Sequence, residues 1–390
     1  MTIKIINGRI ITDKVETDKA LYIRDGKILD VTRDEIAADK VIDANNAYVS
    51  PGFVDLHTHG AGGTDFMDGT PEDVRIALRT HVQHGTTSIM PTATTANPES
   101  FRKSIEDIGL VMEENDPNLP SVIGAHLEGP YFALSQAGAQ APEFITDPIK
   151  EEYEALLSEY KGIIKRWSFA PERKGAVEFC ETLIKNGVVP SIGHTDATYD
   201  EILPVYEAGC RLMTHFYSGM SALTRKGGFR VLGAVETGYL LDDMYVETIA
   251  DGKHLPPELL RLIYKIKGSD HICMVTDSMR GAGVEGLKEM ILGPIADNRV
   301  AVIEDGVAKM PDRTCFAGSI ATTDRLVRVM HKEAGFDIVE SVKMMTEIPA
   351  RSVGAKNIGS IRPGFDADIV LFNDNIEIQK VLLKGKEREM

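Results

Sequence analysis

The sequence predicts an α/β fold: a (β/α)8 TIM-like barrel with a small β-sandwich domain formed from both termini. Three observations predict it. Short apolar runs and turn pairs crowd the first fifty residues, and the same texture returns at the end of the chain. Between them, about eight short β-rich runs alternate with helical patterns, which is how a parallel barrel reads. The length of 390 residues exceeds what one small core organises, so a large domain with a smaller companion is expected. The expected boundaries are residues 1–50 plus 360–390 for the small β domain and 51–359 for the barrel, with an insertion around 280–319.

The elements follow in order. Asn7-Gly8 separates Ile3–Ile6 from Arg9–Ile11, and Asp25-Gly26 separates Ala20–Arg24 from Lys27–Val31. Such pairs supply the positive φ that tight hairpin turns need. The eight β-rich runs are Tyr48–Leu56, Thr86–Pro91, Val122–Leu127, Arg166–Ala170, Val188–Ile192, Leu212–Thr214, Tyr245–Ala250 and Ile272–Thr276. Helices are expected between them at Pro71–His84, Pro98–Glu114, Ile149–Tyr160, Arg173–Asn186, Tyr199–Ala208 and Pro256–Lys267; several open after Thr, Asn or Asp and close at Gly. The eighth run leads into the insertion Ser278–Ser319, where Asp305-Gly306 turns a hairpin over Val300–Lys309, and a helix over Ala321–Ala334 closes the barrel. Pro363-Gly364 then turns the chain into strands at Ala367–Phe372 and Val381–Leu383.

Hydrophobic content of 43% and charged content of 26% are those of a soluble globular protein. A net charge of -16 repels nucleic acid and anionic membrane, while leaving room for a small anion held by local basic groups. No apolar run approaches the roughly 20 residues that span a bilayer, and Met1–Gly8 turns polar too soon for a signal peptide. Cys180, Cys210, Cys273 and Cys315 are widely spaced without a CxxC, as expected of reduced structural thiols. A cytoplasmic protein with a small-molecule partner, and with neither nucleic acid nor membrane as partner, is expected.

Polar residues cluster where the strands end. His57 and His59 lie two apart in Pro51-Gly52-Phe53-Val54-Asp55-Leu56-His57-Thr58-His59-Gly60, so both imidazoles project to one side of a strand running out into a Gly-rich loop. Neutral imidazole is the commonest metal ligand. Glu128 follows the third run, His194 the fifth, His215 the sixth and Asp277 the eighth. Each has a structural explanation when taken alone: Glu128 as a helix cap or ion-pair partner, His194 as the start of a helix, His215 as a core histidine, Asp277 as an N-cap. Four histidines and two carboxylates on the same rim of one barrel together make a metal-hydrolase constellation.

The motifs around these residues resemble the amidohydrolase superfamily and, within it, the N-acetylglucosamine-6-phosphate deacetylase family, over essentially the whole chain. The resemblance rests on Ile6-Asn7-Gly8, the His57/His59 segment, His126-Leu127-Glu128-Gly129-Pro130-Tyr131, Gly193-His194-Thr195, Thr214-His215, Ala250-Asp251-Gly252 with His254, Val275-Thr276-Asp277, Phe316-Ala317-Gly318-Ser319 and the closing Gly359–Asp368. The closing motif is superfamily-wide; His-Leu-Glu-Gly-Pro and its spacing to Gly193-His194-Thr195 are far more specific to sugar-phosphate deacetylases.

The resemblance implies hydrolysis of the acetamide of N-acetylglucosamine 6-phosphate to glucosamine 6-phosphate and acetate. It implies that Glu128, His194 and His215 hold a divalent ion, Zn²⁺ or Fe²⁺. With His57 and His59 also present, a second ion bridged through Glu128 is expected, giving one or two per subunit. Many amidohydrolases bridge their metals with a fourth-strand lysine; Trp167-Ser168-Phe169-Ala170 contains none. Asp277 is implied to take a proton from water and return it to the leaving amine, with His254 assisting at the carbonyl. Taken alone, His254 also reads as a surface histidine before Pro256-Pro257. Ala139, Gln140, Ser218, Gly219, His254, Phe316, Ala317 and Gly318 are implied substrate contacts. Arg225, beside Lys226, is implied to bind the phosphate, for which a guanidinium fork is suited. In the family this arginine can act across a dimer interface, so a homodimer is expected.

Two stretches depart from the family pattern. Phe216-Tyr217-Ser218-Gly219-Met220 stands where Asn-Ala-Met usually follows the sixth-strand histidine, and Gly138-Ala139-Gln140 stands where Gly-Ala-His is common. They bear on the sugar and leave the metal chemistry intact. The 4-epimer, N-acetylgalactosamine 6-phosphate, is therefore the nearest alternative substrate, followed by a different amide. A non-catalytic scaffold relative should have lost metal ligands or the acid–base residue, and this chain has all of them.

Overall fold

Tyr48–Pro51 and Phe53–Thr58 form two strands where the sequence suggested one, and Gly52 is the join. In this computed structural model, which describes residues 1–388, the first strand belongs to a β-sandwich and the second to the barrel. A Cβ on Gly52 would sit 2.0 Å from the Thr87 hydroxyl, so a glycine is needed for the chain to cross between the two sheets.

The barrel strands, in chain order, are β1 (Phe53–Thr58), β2 (Thr86–Thr94), β3 (Ala125–Glu128), β4 (Ile164–Phe169), β5 (Val189–Ile192), β6 (Leu212–Met213), β7 (Tyr245–Thr248) and β8 (Ile272–Met274). Each pairs in parallel with the next. The ring closes just past β8: Thr58 bridges Ser278, and the Asp277 amide donates to the His57 carbonyl at 2.8 Å. Deeper in, the Thr276 hydroxyl donates to Asp55 at 2.6 Å. β1 and β2 are buried along their whole length, as strands wrapped by helices must be. The expected third run is broken at Gly124, where φ is +142° and a Cβ would lie 2.0 Å from Lys165 Cγ.

The outer helices begin where side chains can cap them. Thr70 accepts from the Asp73 amide ahead of Pro71–Gln83, and Asn97 accepts from the Ser100 amide ahead of Pro98–Glu114; each helix carries Pro in its first turn. The fourth expected helix starts three residues late, at Ala176, because Gly175 takes φ +85°. The last one is α-helical only over Thr323–Arg328 and continues as a π-helical turn over Val329–Glu333.

Some elements are additions to the sequence reading. A hairpin, Thr224–Lys226 with Phe229–Val231, and a helix, Ala234–Leu240, lie between β6 and β7. The insertion is a three-stranded antiparallel sheet, Glu289–Leu292, Arg299–Glu304 and Val307–Lys309, rather than a hairpin alone.

The sandwich packs a four-stranded sheet from the N-terminal region against a six-stranded one. In the larger sheet, Tyr48–Pro51 pairs with Ile369–Phe372, so both ends of the chain build it. Ile3, Ile5, Leu21, Ile23, Val49, Ile369, Leu371 and Leu382 fill the space between the sheets. Among the described residues, no helix is long and apolar enough to cross a membrane.

Candidate active site

The carboxyl ends of the strands bring the predicted residues to one rim. His57 is on β1 and His59 just beyond it; Glu128 is the last residue of β3. His194, His215 and Asp277 follow β5, β6 and β8 with φ of +47°, +29° and +47°. A left-handed backbone at a non-glycine residue costs on the order of 1 kcal/mol, and here it turns each side chain back over the barrel mouth.

The imidazoles are oriented from behind. Nδ1 of His194 donates to the Gln136 carbonyl at 2.7 Å, and Nδ1 of His215 to the Ser218 carbonyl at 3.1 Å. Nδ1 of His57 faces Glu247 Oε2 at 3.4 Å. These oxygens only accept, so Nδ1 carries the hydrogen and the neutral ring keeps a lone pair on Nε2. Those Nε2 atoms converge. His194 and His215 are 3.2 Å apart at Nε2, and each lies near Glu128 Oε1, at 3.2 and 2.9 Å. The Nε2 atoms of His57 and His59 are 3.3 Å apart, and His59 is 3.4 Å from Glu128 Oε2. So many acceptors at such separations suit a shared cation.

Two donor sets result, Glu128 with His194 and His215, and Glu128 with His57 and His59, the ligand atoms of each lying within 4.8 Å of one another. Nitrogen and carboxylate donors of this kind suit a divalent metal of the zinc class. The residues present therefore fit the ion. Burial opposes charge on His57, Glu128 and Asp277, but ion pairing outweighs it. Without an ion, Glu128 and Asp277 push the His57 pKa up to about 10, and the histidines hold the Glu128 and Asp277 carboxyls below their ordinary range, so the carboxylates favour a positive charge at Nε2 that a bound ion would supply in place of the proton.

A buried polar layer supports the cluster. Arg166 donates to Glu247, to Ser191 Oγ at 3.1 Å and to Thr214 Oγ1 at 3.0 Å. Despite burial, Arg166 and His57 draw the Glu247 pKa down to about 2. Glu247 is thereby fixed as the anion that orients His57. Ser168, on β4, shares a hydrogen bond with His126 at 2.7 Å. Gln140 is fully committed within the protein: its amide donates to Glu128 at 2.8 Å, and its carbonyl accepts from Thr94 Oγ1 at 2.8 Å and the Thr95 amide at 3.0 Å. It lines the cavity, yet its polar atoms hold Glu128 in place.

The His254 side chain is only 4% exposed rather than superficial, its Nδ1 2.9 Å from Asp251 Oδ2, and its ring packs edge-on against Phe316. Burial alone would raise the Asp251 carboxyl, but the bond to His254 lowers it. One cavity is lined by His59, Glu128, Ala139, Gln140, His194, His215, Ser218, Gly219, His254, Asp277, Phe316, Ala317 and Gly318. His57 sits beneath it, fully buried. Arg225 is the exception among the expected residues: it is exposed on the Thr224–Val231 hairpin and does not line the cavity of its own chain.

Sequence reasoning missed Glu247, Arg166, Asp251 and the orienting role of Gln140. Asp251 carried a signal, three residues ahead of His254. Arg166 and Glu247 sit inside apolar runs and become partners only when β4 and β7 curve round one barrel.

A model of the amidohydrolase family matches residues 48–388. An N-acetylglucosamine-6-phosphate deacetylase of Lysinibacillus sphaericus is 30% identical over 373 residues, 94% of this chain and 92% of that protein. An N-acetylgalactosamine-6-phosphate deacetylase of Escherichia coli O157:H7 is 28% identical over 371 residues, 95% of this chain and 94% of that one. The crystal structure of N-acetylglucosamine-6-phosphate deacetylase from Pasteurella multocida superposes with a TM-score of 0.92 at 25% identity, covering all of both chains.

Proposed function

The chain belongs to the amidohydrolase family, and from that premise we propose that it hydrolyses the acetamide of N-acetylglucosamine 6-phosphate, a linear amide, to glucosamine 6-phosphate and acetate. The observation that carries this is the convergence of four imidazole Nε2 atoms around Glu128, in a cavity that also presents Asp277 and His254. The relatives' names supply the substrate class.

Glu128, His194 and His215 would hold one divalent ion, Zn²⁺ or Fe²⁺, and His57 with His59 and Glu128 a second. Such an ion supplies Lewis acidity, polarising the acetamide carbonyl and lowering the pKa of the attacking water. The chain's own groups do the rest. Asp277, its Oδ1 3.1 Å from His59 Nε2, takes the proton of the water as the oxygen bonds to the acetyl carbon. It returns that proton to the amine as the C–N bond breaks. The Asp251 carboxylate holds His254 by Nδ1, so Nε2 is the atom left to donate to the carbonyl oxygen as negative charge develops there. Ser218, Gly219, Ala139 and the Phe316–Gly318 segment shape the wall against the sugar.

Arg225, exposed on its hairpin, would reach the phosphate of a neighbouring subunit, which makes a homodimer part of the proposal. A cytoplasmic location fits a phosphorylated substrate. Because relatives of both gluco and galacto names match at 28–30% identity, the 4-epimer is the comparison that matters. The test is acetate release by metal-loaded protein from N-acetylglucosamine 6-phosphate, its 4-epimer and unphosphorylated N-acetylglucosamine. Preference for the gluco phosphate is expected. Faster turnover of the galacto phosphate would reassign the sugar, and no turnover of any of them would overturn the reading.

A further inference from the structure

The cavity has only one Lys or Arg among its described lining residues, and it is Arg299. The residue opens the middle strand of the insertion sheet, Arg299–Glu304, and so stands on a different wall from the histidines of the barrel rim. Leu292 of the same sheet, and Gly293 just past it, also line the cavity. The sheet is anchored there by its apolar face, where Met290, Leu292, Ala301 and Ala308 pack with Met279 and Ala317. Arg299 is thus carried on a seated element rather than a free loop.

Its hydrogen bonding is incomplete. The guanidinium donates to the Ala139 carbonyl, on the loop that forms the adjoining wall. No carboxylate lies within 4.0 Å of it among the described residues, whereas Arg280 on the same side of the barrel is paired bidentately with Asp68. A guanidinium has five N–H donors, so most remain for a ligand. The residue is half-buried, and burial works against its charge with only partial relief from Glu143 and Asp297. An incoming anion would supply what the protein does not.

We propose that Arg299 recognises the 6-phosphate of the substrate within its own subunit, as a specificity-determining residue distinct from Arg225. The inference rests on the deacetylase reading. In a 6-phosphorylated 2-acetamido sugar, the acetamide and the phosphate hang from opposite sides of the pyranose ring. With the acetamide at the metal-ligand cluster, the phosphate is directed to another wall, and the insertion sheet is the wall that carries a cation. Planar bidentate donation suits a phosphate. Arg225 reaches a cavity only from a second chain; Arg299 needs no partner.

The test is steady-state acetate release by metal-loaded Arg299→Gln and Arg299→Lys, on phosphorylated and unphosphorylated N-acetylglucosamine. Gln can still donate to Ala139 and keeps the loop contact while removing the charge. The expected result is a KM for the phosphorylated sugar raised at least tenfold by Arg299→Gln, with a smaller rise for Arg299→Lys. For the unphosphorylated sugar, kcat/KM should stay within about twofold. Equal losses on both sugars, or no change in KM, would overturn the proposal and leave Arg299 as a brace for the Ala139 loop. If the wild-type protein releases acetate from neither sugar, the deacetylase reading has failed on its own. Calorimetric titration with inorganic phosphate then decides: binding lost in Arg299→Gln keeps the anion site, and binding retained, or absent from the wild type, removes it.

Discussion

Glu247 illustrates how a residue that never faces the cavity can govern the chemistry. It accepts from Arg166, from His57 Nδ1 and from the His215 amide at 3.1 Å, so it touches two of the proposed metal ligands from behind. Orienting carboxylates of this kind typically contribute 10- to 100-fold in metal affinity. Glu247→Gln is therefore expected to weaken divalent-ion binding by about that factor, read by metal titration, with activity largely restored by excess metal. Asp277→Asn is expected to behave oppositely. It should retain bound metal by elemental analysis while kcat falls about 10²- to 10⁴-fold, the usual contribution of a general acid–base group. An Asp277→Asn protein with full activity would remove Asp277 from the proton path.

Lys267 shows the same logic at the level of an element. The helix Ala234–Leu240 has only seven residues, too short to hold itself. Its end is held by Lys267 from the helix Pro257–Lys267: Nζ donates to the carbonyls of Gly238, Leu241 and Asp242 at 3.1, 2.8 and 3.2 Å. Burial draws the pKa of this amine down to about 8, yet the carbonyls satisfy all its donors. Lys267→Met fills the same space without the donors and leaves the carbonyls of this part-buried site without their partner. A loss of about 1–3 kcal/mol is expected, seen as a lowered denaturation midpoint with the metal cluster still binding its ion. An unchanged midpoint would mean that water replaces the amine at no cost.

Across the whole molecule, the sandwich and barrel meet around Gly52, whose amide donates to the Asp368 carbonyl at 2.8 Å. The Asp368 side chain is buried at this junction. Its Oδ1 accepts from the Lys384 amide at 2.7 Å, while Oδ2 has no partner. Burial pushes its pKa up from 3.8 to about 6. A carboxyl with a raised folded-state pKa costs stability wherever it is ionised in both states, here above pH 6. As pH falls below 6 the folded form protonates first, and the wild type gains relative to Asp368→Asn by up to about 3 kcal/mol once the unfolded form also protonates. Denaturant midpoints of the two proteins from pH 7 to pH 4 should therefore diverge in favour of the wild type. Parallel curves would show that Asp368 titrates normally.

Turn pairs and the alternation of β-rich and helical runs determined the α/β class, the barrel and the terminal strands. Turn chemistry and strand-helix alternation are local, and local patterns survive in a linear text. His57, His59, Glu128, His194, His215 and Asp277 were legible for the same reason, each standing at the end of a run. The tertiary structure alone decided what those residues face. Arg166 and Glu247 lie 81 positions apart and meet only because β4 and β7 belong to one closed ring. Gln140 read as a substrate contact, and only the fold shows its amide holding Glu128. Arg299 stood just ahead of the expected hairpin with no role assigned, and among the described residues it is the one guanidinium lining the cavity, on a sheet completed by an additional strand, Glu289–Leu292. Pairing across such distances depends on burial and on the shape of the closed ring, neither of which a residue carries in its own neighbourhood.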